Sequence, residues 1–110
     1  MILNELTKYS FKDTIYSDVN KPIIVMFHNN CVKCKIVGPV LEELEKEYDD
    51  DVLFYSYETK VEDRITKEFH INKTPHICIF IDGMNMNDFT GIVEKDQLKN
   101  YIDSLLSSIY

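Results

Sequence analysis

The sequence predicts an α/β fold, a central mixed β-sheet flanked by helices on both faces, in a single domain over residues 1–110. Three observations carry that expectation. The run Ile23-Ile24-Val25-Met26-Phe27 is free of charge, as suits a strand covered on both sides. Apolar strands alternate with helical stretches along the chain, which calls for crossover connections and some parallel pairing. With 110 residues and 45% hydrophobic content the chain can fill one core but not two.

At the N-terminus Ile2-Leu3 and Leu6 suit an edge strand. Ser10 followed by Asp13 has the pattern of a capping box for a short helix that turns Phe11 and Ile15 inward and ends near Ser17. Asn20-Lys21-Pro22 is a turn before the strand at residues 23–27. From Cys31 to Tyr48, Val37, Leu41, Leu44 and Tyr48 recur at helical spacing, while Glu42, Glu43, Glu45, Lys46 and Glu47 can face water. Pro39 within this helix removes one N–H and predicts a kink, with Gly38 easing the bend. The acidic run Glu47, Asp49, Asp50, Asp51 opposes the dipole at a helix C-terminus, so the helix is expected to stop near Asp49.

Val52 to Ser56 reads as a second strand, and Val61 to Phe69 as a short helix with Ile65 and Phe69 inward. Ile77 to Ile81 is a third apolar strand. Asp82-Gly83 signals a hairpin turn, with Met84 to Thr90 returning antiparallel as an outer strand. Gly91 leads to a last helix, Glu94 to Ile109, packing through Leu98, Tyr101, Ile102, Leu105 and Ile109.

Composition narrows the function classes. The net charge is -7 and the lysines are scattered, so phosphate backbones are poorly attracted and nucleic acid is not expected as a partner. No window approaches the roughly 18 apolar residues of a membrane span, and the N-terminus lacks an export pattern, so the expectation is a cytoplasmic protein without a membrane partner. Three cysteines leave one over from any disulfide framework.

Cys31-Val32-Lys33-Cys34 stands where the charge-free strand hands over to the long helix, and reads as a dithiol redox site. A helix starting there aims unpaired N–H groups at the first sulfur, and Lys33 and Lys35 add positive charge favouring a thiolate at Cys31. Cys34 lies within bonding reach as the resolving thiol, and Asn30 is placed to donate or cap locally. His28 and His76, with Cys31 and Cys34, could alternatively supply four zinc ligands, but no second Cys-X-X-Cys or His-X-X-X-His supports a metal, and none is assigned. Cys78 lies among Ile77, Ile79 and Phe80 and reads as a small core hydrophobe, a regulatory thiol being the alternative. His70 is expected at the surface.

These features, in this order and spacing, resemble the thioredoxin family. Cys31 and Cys34 match its active-site pair, Lys35 a frequent basic residue after it, and Pro39 the helix-kinking proline. Thr74-Pro75 matches the Thr-Pro with a cis proline facing the disulfide, Asp82-Gly83 the hairpin turn, and Gly91 the glycine before the last helix. The resemblance implies a thioredoxin-like fold and a protein-disulfide oxidoreductase exchanging disulfides through Cys31 and Cys34. It also implies substrate contacts at Thr74 and Pro75, with Asn30 expected beside them as a third substrate-binding residue, no cofactor, and a thioredoxin reductase or low-molecular-weight thiol as electron donor. A glutaredoxin-like glutathione-dependent enzyme and a noncatalytic thioredoxin-fold binding module are the alternatives. Departures are Asn30 in place of the usual Trp and Val32-Lys33 in place of Gly-Pro. Val25 stands where many members place a buried aspartate under the dithiol, and Ser56 near the lysine that often pairs with it, so both members of that relay are expected to be missing.

Overall fold

A computed structural model describes residues 3–17 and 19–109. The elements, in chain order, are β1 (Asn4–Leu6), α1 (Phe11–Ile15), β2 (Ile23–His28), α2 (Val32–Tyr48), a 3-10 turn (Asp49–Asp51) and β3 (Leu53–Glu58). Then follow α3 (Arg64–Glu68), β4 (His76–Ile81), β5 (Met84–Thr90) and α4 (Lys95–Ile109). They form one five-stranded sheet in the order β1-β3-β2-β4-β5. β1, β3 and β2 are parallel, β4 runs antiparallel to β2, and β5 antiparallel to β4.

Every residue of β2 is buried because β2 lies in the middle of the sheet with a helical layer on each face. Ile24 and Met26 pack toward Val37, Leu41 and Leu44 of α2 and Leu98 and Ile102 of α4. Val25 and Phe27 face the opposite layer, with Phe11 and Ile15 of α1 and Ile65 of α3. This two-residue alternation places the end of β2, and hence the start of α2, at the edge of a rigid core. The C-terminal ends of all three parallel strands lie at that edge.

Several expectations hold with small shifts of boundary. The edge strand is β1, pairing Asn4–Leu6 with Tyr55–Tyr57; Leu3 is buried just before it, and Ile2 lies outside the described residues. The hairpin turn at Asp82 and Gly83 takes positive φ at both residues, 51° and 80°, which matches the twist of the flanking strands. A Cβ on Gly83 would meet the exposed Tyr16 ring, which would have to swing aside, and the positive φ itself favours glycine there. Asp49, at φ 51°, ends α2 where the acidic run predicts.

Others are corrected. Ser10 makes no side-chain cap; its hydroxyl oxygen instead accepts from the Thr7 N–H at 2.9 Å. Thr7 Oγ1 accepts from the N–H of Ser10 at 3.1 Å, so the turn is tied one step earlier than the capping box suggests. The helix expected over Val61 to Phe69 shortens to α3. Val61 is exposed, and Asp63 is extended, with its carboxylate accepting from the Tyr57 and Thr66 hydroxyls, both at 2.7 Å. Ile65 is buried as expected, and Phe69 joins the same core from just beyond the helix. On α4, Leu98, Ile102 and Leu105 are buried and Tyr101 packs on Phe89, but Ile109 is exposed in the last turn.

Candidate active site

The strand-to-helix junction is built by three consecutive residues with different tasks. Asn29 leaves β2 as an exposed residue, Asn30 turns the chain with φ 63°, and Cys31 returns to extended backbone as the residue capping α2. The Cys34 N–H donates to Cys31 Sγ at 3.1 Å, so the first sulfur occupies the position an N-cap oxygen would normally fill. Cys31 and Cys34 are joined in a disulfide with Cα atoms 5.0 Å apart. Cys31 is partly exposed, whereas Cys34 is 1% exposed. Lys33 and Lys35 are exposed on the first turn of α2.

The Thr74–Pro75 peptide is cis. It brings the Thr74 hydroxyl 3.6 Å from Cys31 Sγ, and the same hydroxyl donates to Asn29 Oδ1 at 2.9 Å. Asn29 Oδ1 also lies 3.9 Å from Cys34 Sγ. The disulfide is therefore edged by a short polar chain through Thr74 and Asn29. Asn29 is the site residue that the sequence does not single out; Asn30, expected to donate or cap, contributes a left-handed backbone turn. Pro75 is buried, and its carbonyl accepts from the Gly91 N–H at 3.0 Å. That bond ties the segment before β4 to the glycine that precedes α4.

The four possible zinc ligands are not gathered. His28 is buried at the end of β2, and its Nε2 pairs with Glu5 Oε1 at 2.9 Å across the sheet. Ser56 Oγ donates to the same Glu5 carboxylate, so Glu5, His28 and Ser56 form a polar set on three neighbouring strands. The buried His28 Nδ1 has no hydrogen-bond partner among the described residues. His76 pairs instead with Asp88 on β5, Nε2 to Oδ1 at 3.0 Å. Val25 packs with Phe27, Tyr57 and Cys78 on the α1 and α3 face, and a valine there cannot carry a proton. His70 is exposed, as expected.

A family model described as Thioredoxin matches residues 2–104. The chain belongs to the thioredoxin family. It is 28% identical over 108 residues to a thioredoxin of Pyropia yezoensis, covering 97% of this chain and all of that one. It is 28% identical to thioredoxin X, chloroplastic, of Arabidopsis thaliana over 97% of its own length, and spans 60% of that relative. The crystal structure of Chlamydomonas reinhardtii thioredoxin f2 has the same fold, with a TM-score of 0.83 over 94% of this chain and 95% of the other at 23% identity. A thioredoxin fold carrying a vicinal cysteine pair at a helix N-terminus is a site for thiol:disulfide exchange, and the matches lend no support to the glutaredoxin-like or noncatalytic alternatives. Among the described residues no helix is long and apolar enough to cross a membrane.

Proposed function

We propose that Cys31 is the attacking sulfur and Cys34 the resolving one in the reduction of protein or small-molecule disulfides. The observation that carries this reading is the difference in exposure between the two sulfurs: Cys31 is reachable from solvent while Cys34 is buried beneath the first turn of α2. In the reduced protein the Cys31 thiolate attacks one sulfur of the substrate disulfide. A mixed disulfide forms and the other substrate sulfur leaves as a thiolate. Cys34, losing its proton, then attacks Cys31 Sγ, restoring the Cys31–Cys34 disulfide and releasing the second substrate thiol. Two electrons and two protons pass from the dithiol to the substrate. A thioredoxin reductase or a low-molecular-weight thiol returns them in a reducing compartment such as the cytoplasm.

The surrounding residues support the roles assigned to them. Lys33, Lys35 and the α2 N-terminus place positive potential near Cys31, stabilising its thiolate. Pro75 offers no N–H and its carbonyl is already taken by Gly91, so backbone pairing with an extended substrate falls to Thr74, beside the reactive sulfur. Asn30 shapes the approach by its backbone turn. Reduction of a protein disulfide by catalytic amounts of this chain, with dithiothreitol or a thioredoxin reductase as donor, tests the proposal. Turnover that vanishes in Cys31→Ser is expected; turnover that survives that substitution contradicts it.

A further inference from the structure

The hairpin of β4 and β5 carries a second set of chemically versatile side chains, on the sheet face that α1 and α3 cover. His76 and Cys78 are two apart on β4 and share a face, and Asp88 stands opposite Cys78 in the antiparallel register. Asp88 Oδ1 lies 3.0 Å from His76 Nε2, 3.2 Å from Cys78 Sγ and 2.8 Å from Asn85 Nδ2. The ligand atoms of His76, Cys78 and Asp88 all fall within 4.8 Å of one another. Three donors thus converge on one carboxylate oxygen, which has only about two lone-pair directions to offer.

We propose that His76, Cys78 and Asp88 form a binding site for a borderline-soft divalent transition metal of the zinc type, with the fourth position left to water or the Asn85 amide oxygen. The donor set, one imidazole nitrogen, one sulfur and one carboxylate oxygen, is the mixture such ions take. With metal–ligand bonds of roughly 2.0 to 2.3 Å, tetrahedral donors stand about 3.3 to 3.7 Å apart. The two Asp88 spacings, 3.0 and 3.2 Å, therefore open by a few tenths of an ångström, while His76 and Cys78, whose ligand atoms lie within 4.8 Å, draw together around the ion. Binding balances as follows. The ion brings two positive charges, the Asp88 carboxylate supplies one negative charge, and Cys78 supplies the other by releasing its thiol proton to solvent. His76 ligates as a neutral imidazole through Nε2, which gives up its contact with Asp88, and the complex carries no net charge.

Without an ion, Cys78 is inert: burial first, and then the adjoining Asp88 carboxylate, push its thiol far above the usual cysteine range. Burial acts to raise the Asp88 carboxyl, but hydrogen bonds from Asn85, His76 and Cys78 outweigh it and hold it below the usual carboxylate range. An ion would enter from the side of Asp88, whose side chain is 49% exposed, with His76 at 12% and Cys78 fully buried behind it. No metal is expected from the sequence because no second Cys-X-X-Cys or His-X-X-X-His is present, with His76 weighed beside the dithiol and Cys78 as a core hydrophobe or regulatory thiol. Strand alternation places these two together instead.

Titration of the fully oxidised protein with cobalt(II) tests the site, since the closed Cys31–Cys34 disulfide offers no thiolate. The expected result is one equivalent bound with visible bands of tetrahedral cobalt and a near-ultraviolet thiolate-to-cobalt charge-transfer band. Zinc(II) should displace it. Cys78→Ser should lose the charge-transfer band, and Asp88→Asn, which alters only an exposed side chain of the outer strand, should bind at least tenfold more weakly. No charge-transfer band in the oxidised protein, a band that persists in Cys78→Ser, or unchanged affinity in Asp88→Asn would overturn the proposal.

Discussion

Replacing Thr74 with Val removes one hydroxyl hydrogen and keeps the branched shape beside the disulfide. In the oxidised protein that hydrogen goes to Asn29 Oδ1 at 2.9 Å, with Cys31 Sγ standing by at 3.6 Å. Reduction changes the competition, because a thiolate is a charged acceptor. A hydrogen bond to a charged group contributes about 1.5 to 3 kcal/mol, against about 1 kcal/mol for a neutral one. The hydroxyl is therefore expected to turn toward Cys31, and its loss should cost the thiolate about 1 kcal/mol net, which is roughly a fivefold smaller thiolate population. Alkylation of reduced Cys31 by iodoacetamide at neutral pH, followed by peptide mass mapping, should slow by about that factor. The reduced form is also disfavoured, so the redox potential should fall by about 20 mV against a glutathione buffer. An unchanged or faster alkylation rate in a folded Thr74→Val protein would refute the role given to this hydroxyl.

Lys33→Glu should lower the potential by about 10 to 20 mV at low ionic strength, with the shift shrinking as salt is added, because the charge is exposed and acts through solvent. A salt-independent shift, or a rise, would count against charge tuning. Phe11→Ala should destabilise the fold by about 3 to 5 kcal/mol in urea melts, since the Phe11 ring is fully buried and meets Phe27, Tyr57, Phe69 and Phe80 at centroid distances of 5.6, 5.3, 5.3 and 6.1 Å. A cost below 1 kcal/mol would mean this aromatic cluster is not the core of the α1 face. At Asp63 burial acts to raise the carboxyl, but hydrogen bonds from Tyr57 and Thr66 override it and hold the group below the usual carboxylate range. Its stabilisation is thus present above about pH 4 and is lost as pH falls through the depressed value. Asp63→Asn should be less stable than the parent at neutral pH, and the gap should close in acid; a gap that widens on acidification would reverse the sign of the argument.

The sequence displays the sheet through local signals that burial reinforces. The charge-free β2, the Asp82-Gly83 turn and the helical stripe Val37, Leu41, Leu44 and Tyr48 each need little beyond their own residues to be read. Details that depend on a distant partner are hidden. Ser10 has the residue type of a cap, yet its hydroxyl oxygen accepts from the Thr7 N–H and its own N–H goes to Thr7 Oγ1. The helix before Phe69 starts late because Tyr57, on β3, holds Asp63 in extended backbone. At the site, the cysteine spacing is legible, but Asn29 and Asn30 have the same side chain, and only the positive φ of Asn30 decides which of them reaches the sulfurs. The Glu5, His28 and Ser56 set joins three strands that are far apart in sequence, so nothing in local composition announces it.

Trapping of a mixed disulfide measures directly the division of labour between an exposed attacking sulfur and a buried resolving one. Cys34→Ser, incubated with oxidised glutathione or a protein disulfide and quenched in acid, should accumulate one adduct per molecule, mapped by mass spectrometry to Cys31. The adduct should be absent in the parent protein, where Cys34 resolves it, and in the double variant lacking both sulfurs. Failure of Cys34→Ser to form the adduct, or equally rapid adduct formation at Cys34 in Cys31→Ser, would contradict the assignment.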